Sequence, residues 1–202
     1  MTIRVIGIDI GIRNLSTCMI EVPRQSTGTT LIDRAIFCLN SATRLEWEVS
    51  DLCPANTRNA NKCAHSTVLD GLVSFVETIG AKFDWASHVV IEAQPAARMK
   101  MIAGALYALV RQRCGLSTRI VFQAAKKKLS WGPKLATYAP EVKQSTYSER
   151  KKGAILLMTK LLNDSPPHRD KLDLLTTLKK KDDAADSFLH ALCFAISAPR
   201  PN

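Results

Sequence analysis

Four acidic side chains stand where acids are expensive to keep. Asp183 and Asp186 lie in Lys181-Asp182-Asp183-Ala184-Ala185-Asp186-Ser187-Phe188. Leu189, Leu192, Phe194, Ile196 and the interleaved alanines predict a buried helix there. A spacing of three puts both carboxylates on one helix face, one turn apart. Side by side among apolar residues they repel and lose hydration, and a cation between them removes both costs. Paired oxygen ligands suit Mg²⁺ or Mn²⁺. The same acids also read as a helix start, with Asp182 or Asp183 as cap and Asp186 favoured by the helix dipole. Asp9 sits in a β-branched run, between Ile8 and Ile10 and before Gly11. Glu92 ends a second apolar run, Val89-Val90-Ile91. Each can be a turn or helix cap, although Glu caps helices less well than Asp, Ser or Thr. If the two strands are neighbours and the last helix crosses them, all four acids converge. Such a cluster can hold two Mg²⁺ ions about 4 Å apart, the arrangement for in-line attack on a phosphate.

The elements that must position these acids follow from periodicity. Strands are expected over Arg4–Ile10, Asn14–Val22, Leu31–Leu39, His88–Ile91 and Arg119–Phe122. The first three, joined by short connections, read as an antiparallel meander. Helices are expected over Ser66–Ile79, from Pro95 or Ala96 to about Cys114, over Ala154–Leu162, and at the end of the chain. Ser50–Asn61 reads as a polar, turn-rich segment and Asn163–Arg169 as a loop. A meander followed by alternating helix and strand gives an α/β domain with a mixed five-stranded sheet flanked by helices. Residues 1–202 are long enough for one domain with a sizeable core and too short for two.

Lys and Arg total 28 against 18 Asp and Glu, a formal net charge of +10. That balance points to a polyanionic partner, nucleic acid first. Between Lys126 and Lys152 stand Lys126, Lys127, Lys128, Lys134, Lys143, Arg150, Lys151 and Lys152, with Trp131, Tyr138 and Tyr147 among them. Lysines grip phosphates without sequence preference, and aromatics stack on unpaired bases, so this segment is expected to contact DNA. Arg98, Lys100, Arg111 and Arg113 bracket the helix around Met99–Arg113, whose middle is apolar nearly all round, with Gly104 and Ala108 on one face. Such a helix is either deeply buried or shared with a partner. No apolar run approaches the ~20 residues of a membrane span, and the expected setting is intracellular with no membrane partner. The six Cys read as buried hydrophobes of a reduced compartment, and Cys53, Cys63 and His65 as the seed of a zinc site without a clear fourth ligand. The four His are scattered, and His190 follows Asp186 by one turn.

Ile8-Asp9-Ile10-Gly11, Ile91-Glu92-Ala93-Gln94-Pro95 and Asp183-Ala184-Ala185-Asp186-Ser187-Phe188, in that order, resemble the RuvC-type Holliday-junction resolvases. Tyr147-Ser148-Glu149-Arg150-Lys151-Lys152 and Lys181-Asp182-Asp183 bring the resemblance nearest to the branch of poxviruses and other large DNA viruses. It spans nearly the whole chain. It implies a ribonuclease H-like fold, a homodimer, and Mg²⁺-dependent symmetric nicking of branched DNA, above all four-way junctions; if viral, the setting is the host cytoplasm or the site of viral DNA replication. Asp9, Glu92, Asp183 and Asp186 match the family's acidic positions, and its basic position falls on Lys151 or Lys152. The segments 40–61 and 164–178 depart from the pattern. Three other readings stand beside this one. Ile8-Asp9-Ile10-Gly11 also resembles the first phosphate loop of actin-like and sugar-kinase-like ATPases, although no second glycine-rich loop follows. The others are a non-catalytic junction-binding protein and a ribonuclease H- or transposase-type nuclease.

Overall fold

The structure, a computed structural model, describes residues 2–24, 27–53, 59–131, 134–142, 145–178 and 180–198. In chain order it contains β1 (Thr2–Asp9), β2 (Leu15–Pro23), α1 (Leu31–Asn40), β3 (Arg44–Ser50), α2 (His65–Thr78), α3 (Gly80–Trp85) and β4 (His88–Ala93). There follow α4 (Ala97–Cys114), β5 (Arg119–Ala124), α5 (Lys134–Tyr138), α6 (Tyr147–Asn163), α7 (Asp170–Thr177) and α8 (Lys181–Ser197). Short 3₁₀ turns lie at Ala60–Lys62, Ala125–Leu129 and Pro166–His168.

One sheet runs β3-β2-β1-β4-β5. The pairs β1–β2 and β2–β3 are antiparallel, and β4 lies parallel to both β1 and β5. The mixed five-stranded sheet is therefore as expected, and β1 and β4, the strands bearing Asp9 and Glu92, are neighbours in its middle. Strand side chains alternate between faces. Ile3, Val5, Cys18, Ile20 and Val90 meet α1, α6 and α8 on one face, while Ile6, Ile8, Met19, Val89 and Ile91 meet α2, α3 and α4 on the other. The same alternation puts Gly7, Asp9 and Glu92 on the α8 face.

One expected strand is corrected. Leu31–Leu39 is helix α1, started by a reciprocal cap in which Thr30 accepts from the Asp33 amide and Asp33 from the Thr30 amide. Its buried residues Ile32, Ala35, Cys38 and Leu39 recur at three and four, a helical spacing. The third strand is Arg44–Ser50, whose sequence Arg-Leu-Glu-Trp-Glu-Val-Ser alternates as a half-exposed edge strand does. The helix expected over Ala154–Leu162 starts earlier, at Tyr147, on a second reciprocal cap between Thr146 and Glu149. The loop expected over Asn163–Arg169 is shorter, because Asn163 ends α6 and Pro166–His168 is a 3₁₀ turn, and helix α7 follows it.

Helix α8 crosses β1 and β2 in direct backbone contact. A Cβ on Gly7 would stand 2.2 Å from the Ser187 carbonyl oxygen and 2.7 Å from the Ala191 nitrogen. Ser16 and Ser187 hydroxyls bond at 3.0 Å, and Trp47 Nε1 donates to the Ala184 carbonyl at 3.2 Å. These contacts fix α8 along and across the sheet. Gly7→Ala should therefore cost about 1–3 kcal/mol of stability by overpacking. Chemical denaturation checks this; an unchanged midpoint would mean that α8 sits elsewhere.

Candidate active site

Asp9 closes β1, Glu92 lies at the end of β4, and Asp186 lies one turn into α8. Each offers a carboxylate oxygen within 4.8 Å of the others, and among the described residues this is the only such group of three or more acidic, His or Cys side chains. All three are nearly buried, at 9% exposure or less. Asp183 is half-buried and lines the same cavity, outside the three-carboxylate group. Neither Asp182 nor Asp183 is the helix cap: α8 begins at Lys181, which puts both in its first turn, where the helix dipole favours them. Asp182 pairs with Lys151 instead.

The repulsion among the acids is met by Lys128, from the 3₁₀ turn that follows β5. Its Nζ lies 2.6 Å from Asp186 Oδ2 and 3.7 Å from Glu92 Oε1. Burial alone would lower its pKa, yet the surrounding carboxylates raise it, so the ammonium form is held. Burial and then the neighbouring Glu92 push the Asp9 carboxyl well above its usual range. Burial also raises Glu92, but His190, Asp9 and Lys128 outweigh it and hold the carboxyl down at about 2. Within this pair Asp9 is the carboxyl whose protonated form is favoured and Glu92 the one whose charged form is favoured. Burial raises Asp186 against the counter-pull of Lys128. Burial, then the charge of Asp182, pushes Asp183 up to about 6.

The donor set fits a hard divalent cation. It consists of carboxylate oxygens alone, and Asp186 Oδ1 is buried without a hydrogen-bond partner among the described residues. The cavity in front of the acids holds about 730 Å³ and is lined also by Gly11, Gln94, Lys126, Tyr147, Arg150 and Lys151. Lys128 Nζ stands where a bound cation's charge would be, as the cluster's internal counter-ion.

The basic residues expected to grip DNA separate into several groups. Lys126 and Arg150 are exposed on the cavity rim, and Lys151 lines it beneath the Tyr147 ring, 5.3 Å from its centre. Of the Lys151 and Lys152 alternatives, Lys151 is therefore the one at the cavity; Lys152 is exposed and outside its lining. Lys127 borders a separate groove beside β5. Arg98 donates to the Cys63 carbonyl at the foot of α2. Lys143 and the Lys134 side chain lie outside the described residues. Trp131 is corrected: it is 2% exposed, packs in the core against α6 and α8, and donates Nε1 to the Lys128 carbonyl, so it cannot stack on a base. Tyr138 donates its hydroxyl to Asp164 at 2.8 Å, and Lys160 covers its ring. The aromatic that does stand free at the cavity mouth is Tyr147, 68% exposed. Cys53, Cys63 and His65 form no ligand group among the described residues.

Comparison of this architecture with solved structures decides the fold. The fowlpox virus Holliday junction resolvase matches with a TM-score of 0.59 at 17% identity, over 98% of this chain and 99% of that one. The yeast mitochondrial Holliday junction resolvase matches at 0.60 and 20% identity, over 96% of this chain and 79% of that one. This chain has the RuvC-type, ribonuclease H-like fold. T. thermophilus RuvC, solved with a Holliday junction substrate, matches at 0.51 and 16% identity over 97% of this chain and 94% of that one. A second fowlpox virus resolvase structure contains its substrate Holliday junction DNA. No protein-family model matches the chain, and no curated protein matches its sequence. In the RuvC-type fold of this chain, Asp9 and Glu92 come from adjacent central strands and Asp186 from the helix that crosses them.

The raised Asp183 carboxyl gives a pH dependence. A folded-state value near 6, above the ordinary 3.8, means that the proton stabilises the fold. That contribution is present below pH 3.8 and lost as pH rises through about 6. Without divalent cation, the chain should lose stability relative to Asp183→Asn across that window. Paired thermal melts from pH 4 to 7 measure the difference; parallel curves would show Asp183 to be solvated.

Proposed function

We propose that the chain is a divalent-metal-dependent endonuclease that resolves four-way DNA junctions by symmetric nicking, as a homodimer. The observation that carries the reading is the convergence of Asp9, Glu92 and Asp186 within 4.8 Å at the floor of a basic-rimmed cavity. Buried acids beside a polyanion are repulsive unless a cation joins them, which argues against a purely DNA-binding role. The RuvC-type fold, whose solved examples include resolvases with junction DNA, supports the choice of substrate.

Asp9, Glu92 and Asp186 would hold the metal, with Asp183 as a further carboxylate from the cavity wall. Mg²⁺ bound there, as one ion or a pair, would supply Lewis acidity toward phosphate oxygens and a bound water more acidic than bulk water. Asp9 can ligate a cation only as a carboxylate, and burial beside Glu92 pushes its pKa up, so cation affinity is expected to fall as pH drops. Lys126, Arg150 and Lys151 on the rim bind the phosphates on either side of the scissile one, and Lys151 offsets charge that grows in the transition state. Tyr147 offers a face for a base unstacked at the branch point.

The dimer rests on α4. Its inner face buries Ile102, Ala103, Leu106 and Val110, while Met101, Gly104, Tyr107 and Ala108 remain exposed on the outer face. Tyr107 stacks on exposed Phe122 at 5.9 Å, which extends the apolar surface onto β5. Open space in front of Gly104 leaves room for a close helix approach. A two-fold pairing there would present two identical sites to a two-fold symmetric junction.

Both parts are tested by cleavage of a plasmid-borne cruciform with Mg²⁺, with EDTA, and with the Asp9→Asn chain, beside linear duplex and an RNA–DNA hybrid. The expected result is metal-dependent conversion of the cruciform directly to linear DNA, lost in the variant. Nicked circles alone would remove the paired action and with it the dimer. Cleavage of the hybrid alone would make the chain a ribonuclease H-type enzyme. Binding without cleavage in any metal would leave a junction-binding protein.

A further inference from the structure

Behind the carboxylates lies a polar chain that metal binding and DNA contact as described leave unused. Helix α8 is packed with Ala, Phe, Leu and Cys, yet it carries His190 at 0% exposure, one turn beyond Asp186. Gln123, buried on β5, is the direct strand neighbour of Glu92 across the parallel β4–β5 ladder. Its side-chain amide nitrogen lies 2.9 Å from His190 Nδ1. The opposite ring nitrogen, Nε2, lies 3.6 Å from Glu92 Oε2 and has no hydrogen-bond partner among the described residues.

The order of donors follows from the charge on Glu92. If Gln123 donates to Nδ1, the ring proton is on Nε2 and faces a carboxylate oxygen. Turning the amide over would place the proton on Nδ1 and aim the bare Nε2 lone pair at Glu92, which is repulsive. The favoured sequence of donors is therefore Gln123 to His190 to Glu92. A buried ring N–H left without an acceptor keeps its full desolvation cost, which an apolar residue at this place would not carry. Glu92 Oε2 is within reach of a small carboxylate rotation. The other oxygen, Oε1, is on the side of Lys128 and the cavity.

We infer that His190, oriented by Gln123, is a positioning residue that holds Glu92 by Oε2 from behind and presents Oε1 to the cation. This rests on the metal-dependent reading of the site. The physical effect is the one that outer hydrogen bonds have on metal-ligating side chains: they fix the ligand's rotamer before the ion arrives, and their loss typically weakens metal affinity about 10–100-fold. His190 and Gln123 are both buried and lie outside the lining of the cavity in front of the acids.

The test is Mn²⁺ binding to the DNA-free chain, read by electron paramagnetic resonance of free Mn²⁺, with thermal melts alongside. His190→Leu and Gln123→Leu should each weaken Mn²⁺ binding, the former by about 10–100-fold and the latter by less. His190→Gln, whose amide nitrogen can reach where Nε2 stands, should recover most of the affinity. A merely structural histidine would give variants whose melting changes and whose Mn²⁺ affinity, measured well below that melt, does not; that result overturns the assignment. If His190→Leu does not fold, Gln123→Leu carries the decision alone. If the unsubstituted chain takes up no Mn²⁺, the metal reading fails first and this assignment with it. Uptake by the chain with equal affinity in all three variants sinks only the role of His190.

Discussion

The backbone contact between β1 and α8 is the constraint on which the rest depends. Gly7 lets the Ser187 carbonyl and the Ala191 amide come closer to a strand than any side chain would allow. Two residues along the strand on the same face is Asp9, and just before Ser187 on the helix is Asp186. The close approach therefore sets the distance between these acids. Two polar contacts, Ser16 with Ser187 and Trp47 with the Ala184 carbonyl, stop the helix from sliding or rolling. Glu92 is brought in by the parallel register of β4, which pairs Ile8 with Ile91. Three elements distant in sequence thus meet through packing, and their acids converge because the backbone leaves them no alternative.

That convergence is costly, and the site shows how the cost is met. Lys128 leans on Asp186 and Glu92, and burial beside Glu92 favours the protonated form of Asp9; both offset part of the repulsion. Asp186 Oδ1 has no hydrogen-bond partner among the described residues, and in the proposed reading a divalent cation would satisfy all the oxygens together. The fold holds the ligands in place against their repulsion, so little reorganisation is needed when the charge arrives. The basic rim of Lys126, Arg150 and Lys151 sets positive charge at the mouth of a cavity whose deepest point is acidic, which suits the proposed approach of phosphates.

Much of this is legible in the chain. An acid at the end of an apolar strand has few uses, and Asp9 and Glu92 announce themselves by that position; the helical spacing of Asp183 and Asp186 does the same. The adjacency of β1 and β4 is different. It depends on sheet order, which no local pattern encodes, so the sequence leaves it as a condition on the convergence of the acids. The segment 31–39 misleads because its Leu-Ile and Ile-Phe pairs imitate a strand, while the cap formed by Thr30 and Asp33 begins just outside the run. β3 is hidden by Arg44, Glu46 and Glu48, whose charges face solvent on an edge strand. Lys128 looks like one more phosphate-binding lysine in a run of three; only the 3₁₀ turn at Ala125–Leu129 turns it inward while Lys126 and Lys127 face out. Trp131 looks free because its neighbours are polar, yet its burial is set by α6 and α8, remote in sequence.

The central claim is that Asp9, Glu92 and Asp186 are one cation site held ready by the fold. A crystal of the DNA-free chain soaked in Mn²⁺, with anomalous diffraction measured at the manganese edge, tests it directly. An anomalous peak bounded by oxygens of all three carboxylates is expected, with Lys128 Nζ moved away from Asp186. A map without a peak there, with the lysine still on Asp186 at saturating Mn²⁺, would contradict it and leave the cluster as a lysine-neutralised acidic core.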